Sequence, residues 1–178
     1  GEKSPYLDWF SVYGFPMNAY QGKPNYSAWW NLPALPQFNT DNPQVRTFLF
    51  EVAKHWIKQG VDGWRLDVPF EIKDESFWRQ FRTATKLPNQ DAYLVGEIPS
   101  EAQDWLQGDM FDGVMNYQFA AACVGFFGVG SRDEAMISGM MGLPEVPSLD
   151  AAGFARRTKE LLEIYPRQNS LAQLNLMD

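Results

Sequence analysis

Val61-Asp62-Gly63-Trp64-Arg65-Leu66-Asp67-Val68-Pro69 is the stretch on which the fold reading turns. It reads as a strand over 61–68, entered directly after Gly60. Side chains alternate faces along a strand, so Gly63, Arg65 and Asp67 share one face. A guanidinium and a carboxylate on an inward face are costly unless they pair or do chemistry. About thirty residues on, Ala92-Tyr93-Leu94-Val95-Gly96-Glu97-Ile98 is a second short apolar strand, over 92–98, that also delivers a carboxylate at its end. Two acids at two strand ends, one βα repeat apart, predict a paired-carboxylate site.

Outward from this stretch the pattern is strand and helix in turn. Upstream, Asn42 is a candidate N-cap and Pro43 fits the first helical position. Val45, Phe48, Leu49, Val52, Ala53, Trp56 and Ile57 then recur on one helical face until Gly60 stops the run. Downstream, Asp74 opens a helix with Phe77, Trp78 and Phe81 on its buried side, fading near Pro88. Ser100 with Gln103 has the capping-box pattern for a short helix through Leu106. Asp109 to Phe119 reads as a strand region, residues 120–149 are ambiguous, with a loop at Gly142–Pro147, and Asp150 caps a last helix. Strands near 61–68, 92–98, 112–118 and 171–177, separated by helices, predict an α/β fold with a parallel sheet, either curled into a barrel or wound as an open sheet.

Composition narrows the function classes. The chain has 178 residues and 45% apolar content, enough for one sizeable core. Its formal charge of −7, with no basic cluster, argues against nucleic acid and anionic membrane surfaces as partners. No apolar run approaches the ~18 residues that span a bilayer. The single cysteine, Cys123, cannot form an internal disulfide, which favours a cytoplasmic over a secreted setting. The start on Gly1 and the stop at Asp178 inside an apolar run suggest a piece of a longer protein. His55, the one histidine, sits mid-helix and offers no Ser-His-acid or Cys-His arrangement. No His/Cys spacing suggests zinc, and no Gly-rich phosphate loop follows a strand. Asp8, Asn39 and Asp41 could give oxygens to calcium or simply serve turns and caps; no cofactor is required by the sequence, and calcium is possible without being supported.

Adjacent parallel strands lie roughly 4.7–4.9 Å apart, so Asp67 and Glu97 at matching ends would sit about 5 Å from each other. Retaining glycosidases hold their two carboxylates roughly 5–5.5 Å apart. Arg65, two residues before Asp67, favours the ionised form that a nucleophile needs. Glu97, flanked by Ile98 and Pro99, has the drier setting suited to a general acid.

Gly63-Trp64-Arg65-Leu66-Asp67-Val68-Pro69 resembles the strand-four signature of the α-amylase family of glycoside hydrolases, and Gly96-Glu97-Ile98 its strand-five signature. Leu32-Pro33-Ala34-Leu35-Pro36 followed by Phe38-Asn39 resembles the segment that closes the family's excursion domain. Phe111-Asp112-Gly113-Val114-Met115-Asn116-Tyr117 resembles its strand six. The set is most similar to the neopullulanase, cyclomaltodextrinase and maltogenic amylase group. The resemblance implies a partial (β/α)8 TIM barrel, about strands four to seven, over 39–178, with the end of the excursion domain over 1–38.

It also implies retaining hydrolysis or transglycosylation of α-1,4-glucosidic linkages in maltooligosaccharides, cyclodextrins, pullulan or starch. Asp67 would be the nucleophile, Glu97 the general acid/base and Arg65 their support. Glu71 is a substrate-subsite candidate or a helix-entry acid; Trp30 and Tyr117 could contact sugar or serve packing. Pro99 departs from the group's usual tryptophan. The family's third carboxylate, in a His-Asp pair after strand seven, would fall beyond Asp178, so the isolated chain is expected to be inactive; members of the group often dimerise through an extra N-terminal domain, which leaves a homodimeric parent open. The competing reading is a non-catalytic amylase-like barrel that binds or scaffolds, whose mark would be loss of the acids.

Overall fold

The computed structural model describes residues 3–18, 20, 22–139 and 145–176. The chain divides into two compact units, Gly1–His55 and Trp56–Asp178.

Up to Gln37 the described residues of the first unit are irregular, in keeping with their content of Gly, Pro, Asn and aromatic residues. Isolated antiparallel bridges join Phe10 to Phe38, Val12 to Tyr26 and Ala28 to Pro36. Tyr26 is buried and donates its hydroxyl to the Pro33 carbonyl. Aromatic rings supply the packing, with Phe10 stacked on Phe38 at 5.1 Å and Trp9 tilted on Phe48 at 5.2 Å. Helix α1 (Pro43–Lys58) starts here, and the Asn42 side chain accepts the Gln44 N–H at 2.8 Å, the cap expected from the sequence. Asn39 and Asp8 meet in a turn: the Asn39 amide donates to the Asp8 carbonyl, and Asn39 Oδ1 accepts the Asp41 N–H.

The second unit is an α/β arrangement. Gly60, at φ +97°, ends α1 in a conformation that glycine adopts without steric cost. Strand β1 (Gly63–Leu66), helix α2 (Glu75–Lys86), strand β2 (Tyr93–Gly96) and strand β3 (Gly113–Val114) follow. The strands form one parallel sheet in the order β1-β2-β3. The register aligns Arg65 with Val95 and Gly113, and Leu66 with Gly96 and Val114. Leu66, Leu94 and Val114 on one sheet face are buried, as are Phe77, Trp78 and Phe81 of α2. The Phe111 ring lies where a side chain at Gly96 would be, 2.8 Å from that Cβ position. Phe111 stacks on Trp105 at 5.4 Å and meets Trp78 edge-on at 5.4 Å. Asp74 caps α2 by accepting the Ser76 N–H at 2.9 Å.

Three elements differ from the sequence expectation. The strand region expected over 109–119 shrinks to β3, because Asn116 accepts the Phe119 N–H and starts helix α3 (Tyr117–Phe127). The strand expected over 171–177 is a single parallel bridge between Met115 and Leu174, preceded by helix α6 (Arg167–Leu171); Met177 lies outside the described residues. Ser100 forms no cap: residues Gln103–Leu106 make a 3-10 turn entered from Ala102 without a side-chain hydrogen bond. The ambiguous stretch holds the rest of α3 and helix α4 (Glu134–Gly139), while Gly142, Leu143 and Pro144 lie outside the described residues. Helix α5 (Ala151–Glu163) is capped by Asp150, which accepts the Gly153 N–H at 2.7 Å. Phe154 on α5 stacks on Phe126 of α3 at 4.9 Å. No helix among the described residues is long and apolar enough to cross a membrane.

Candidate active site

The end of the sheet gathers the charged groups. β1 stops at Leu66, and Asp67 lies just past it, held by the backbone pairing in which Glu97 N–H donates to the Leu66 carbonyl at 2.9 Å. Asp67 is therefore not an inward strand residue; its side chain is 71% exposed, and Arg65 is 40% exposed. The pair is joined nonetheless: Arg65 Nη1 bonds Asp67 Oδ1. Its second terminal nitrogen, Nη2, lies 2.6 Å from Glu97 Oε1, so one guanidinium bridges both carboxylates.

Glu97 is the more enclosed acid, at 17% exposure. Besides Arg65 it accepts two neutral donors. The Tyr117 hydroxyl donates to Oε1 at 3.0 Å, and the Val68 N–H donates to Oε2 at 3.2 Å. Val68 holds φ +33° and ψ +54°, a left-handed conformation that a β-branched residue adopts only at a cost. That turn aims its N–H at Glu97. Burial pushes the Tyr117 hydroxyl up from its ordinary value, helped by its bond to Glu97 and the Glu97 charge, so it remains a donor.

Thus Arg65, Asp67, Glu97 and Tyr117 meet. Glu71 does not join them by any hydrogen bond among the described residues; it ends the turn Pro69–Glu71, whose last N–H donates to the Val68 carbonyl at 3.0 Å. Trp30 belongs to the first unit, where it is half exposed, sits at φ +49° and tilts against Trp29 at 6.4 Å. Two contributors escaped the sequence reading: the Val68 backbone and Met115, whose sulfur accepts from Arg65 Nε at 3.4 Å. Among the described residues no cluster of three or more His, Cys, Asp or Glu could hold a metal ion.

Parallel strands with interleaved helices make an α/β fold, which the family match and the solved structures that follow identify as part of a TIM-barrel-type one. The chain belongs to the alpha-amylase family: the model of its catalytic domain matches residues 1–141. It is 40% identical over 179 residues to a cyclomaltodextrinase from a Bacillus species, covering 100% of this chain and 29% of that protein. Among solved structures, the protein Ttha1563 from Thermus thermophilus superposes with a TM-score of 0.95 at 50% identity, covering 100% of this chain and 37% of that one. The debranching enzyme of Nostoc punctiforme superposes with a TM-score of 0.89 at 44% identity, with 100% and 37% covered. The chain thus spans less than a third of the length of that cyclomaltodextrinase.

Proposed function

We propose that this chain supplies the nucleophile and the acid/base of a retaining α-glucan glycosidase acting on α-1,4-glucosidic linkages. The observation that carries the reading is the Arg65 guanidinium bridging Asp67 and Glu97 at neighbouring strand ends. In the first step an Asp67 oxygen bonds the anomeric carbon while the glycosidic C–O bond breaks, and the Glu97 proton passes to the leaving oxygen. In the second, Glu97 as carboxylate takes a proton from water or a sugar hydroxyl, whose oxygen displaces Asp67; two inversions give net retention. Arg65 orients both acids, and Tyr117 and the Val68 N–H fix the rotamer of Glu97. The presence of both acids, joined through one cation, speaks against a non-catalytic barrel.

Strands β1, β2 and β3 correspond on this reading to the fourth, fifth and sixth of the barrel and the bridge at Leu174 to the place of the seventh, with residues 1–38 as the end of the excursion domain. Glu71 serves, on the same reading, as a substrate contact. The cyclomaltodextrinase relative makes a cyclodextrin the natural probe. In the full-length protein carrying this chain, Asp67→Asn is expected to cut kcat on cyclodextrin by about 10⁴-fold or more, the scale lost when a covalent nucleophile is removed. Release of reducing sugar at a near-normal rate by that variant would refute the assignment.

A further inference from the structure

The sheet register orders more than the two acids. Leu66, Gly96 and Val114 form the last paired row, and the next backbone bonds, Glu97 N–H to Leu66 and Met115 N–H to Gly96, both at 2.9 Å, extend it by one. The following row is therefore Asp67, Glu97 and Met115, two rows beyond Arg65 and so on its side of the sheet by strand alternation, where all three side chains meet its guanidinium. Where the third strand could have offered a third charge, it offers a thioether. Its backbone is fixed on both sides, by the Gly96 carbonyl on one edge and by the bridge to Leu174 on the other.

A guanidinium has donors on Nε, Nη1 and Nη2 and no acceptor. On Arg65, Nη1 meets Asp67, Nη2 meets Glu97 and Nε meets Met115 Sδ at 3.4 Å. Resting on the catalytic reading above, we infer that Met115 is a positioning residue: its sulfur occupies the Nε donor of Arg65 and thereby fixes the plane of the guanidinium that aligns nucleophile and acid/base. A neutral acceptor suits this place. A carboxylate there would compete with Asp67 and Glu97 for the same cation, and a hydrocarbon would leave Nε without its partner and the fork free to rotate. Methionine fills the space, accepts weakly and adds no charge.

The test uses the full-length protein with a cyclodextrin, comparing wild type, Met115→Leu, Met115→Gln and Met115→Glu, with Asp67→Asn as control. Leucine keeps the volume and loses the acceptor; glutamine restores a neutral acceptor; glutamate is its charged isostere. The expected result is a kcat for Met115→Leu lowered about five- to tenfold with KM within about twofold, the pattern of an interaction needed in the transition state. Met115→Gln should recover most of that loss, and Met115→Glu should fall below Met115→Gln. Wild-type kcat in Met115→Leu, a loss carried by KM alone, or equal kcat in the glutamine and glutamate variants would overturn the inference. Should the leucine variant not fold, the glutamine–glutamate comparison decides it. If Asp67→Asn stays active, it is the catalytic reading that fails; if that control is dead while Met115→Leu matches wild type, only the role of Met115 fails.

Discussion

At the scale of single residues, Tyr117 makes the role of its hydroxyl measurable. It donates to Glu97 Oε1, and its raised pKa keeps it protonated through neutral pH. Tyr117→Phe keeps the ring and removes one donor from a mostly enclosed carboxylate. A hydrogen bond to a charged group contributes about 1.5–3 kcal/mol. With part of that expressed in the transition state, kcat on cyclodextrin should fall about tenfold with little change in the thermal midpoint. An unchanged kcat would show that Glu97 is held by Arg65 and Val68 alone. Arg65, Asp67 and Glu97 can be singled out from the sequence because charged residues at the ends of two short apolar strands one βα repeat apart are a local pattern, although Asp67 lies just past its strand and not inside it. Tyr117 enters that reading only as a sugar contact or packing residue, and Met115 only as part of the strand-six resemblance, with no role of its own. Their contacts cross twenty and fifty residues, and a methionine in an apolar run carries no mark of an acceptor role.

At the scale of elements, local caps decide which expectations hold. Asp74 and Asp150 precede amphipathic runs, so their helices are legible. Helix α3 is not, because Phe119, Ala120, Ala121, Ala122, Val124 and Phe126 are apolar all round, and a helix of that kind shows no period to separate it from a strand. The overlooked signal is Asn116, which caps α3 through the Phe119 N–H and also donates to Asn175 Oδ1 at 2.9 Å. The same cap sets the first residue of α3, Tyr117, against Glu97. Asn116→Ala should cost about 1 kcal/mol of stability, the usual scale of a lost N-cap. It should also lower kcat, since the helix start carries the Glu97 donor. Urea unfolding alongside cyclodextrin kinetics separates the two effects. A stability loss with wild-type kcat would mean that Tyr117 is positioned by packing and not by the cap.

At the scale of the whole molecule, the acidic balance of −7 raises the question of which carboxylates the fold depends on. Asp112 is the clearest in the second unit. It accepts from Arg82 and Lys86 of α2, each at 2.8 Å, and from the Leu94 N–H of β2 at 2.9 Å, while its own carbonyl accepts the Asn169 side-chain amide. One residue before β3 it thus fastens helix, neighbouring strand and the α6 turn together. Burial pushes this carboxyl up, but bonds from Lys86, Leu94 and Arg82 outweigh it and leave it below its ordinary value. Beside it, burial and the Asp112 charge push the Tyr93 phenol up to about 12, so Tyr93 donates to the Ala172 carbonyl as a neutral group. The sign for Asp112 follows from linkage. A folded-state value below the unfolded one means that its contribution is complete above the unfolded carboxyl range and disappears as pH falls through the lower folded value. Asp112→Ala should remove about 3 kcal/mol at neutral pH, because it leaves Arg82 and Lys86 without their shared anion. The deficit should shrink toward zero in acid, where wild-type Asp112 is protonated as well. Urea unfolding of both proteins from neutral pH downward reads this directly, and a deficit that stays constant into acid would assign the loss to packing at residue 112 and not to its charge.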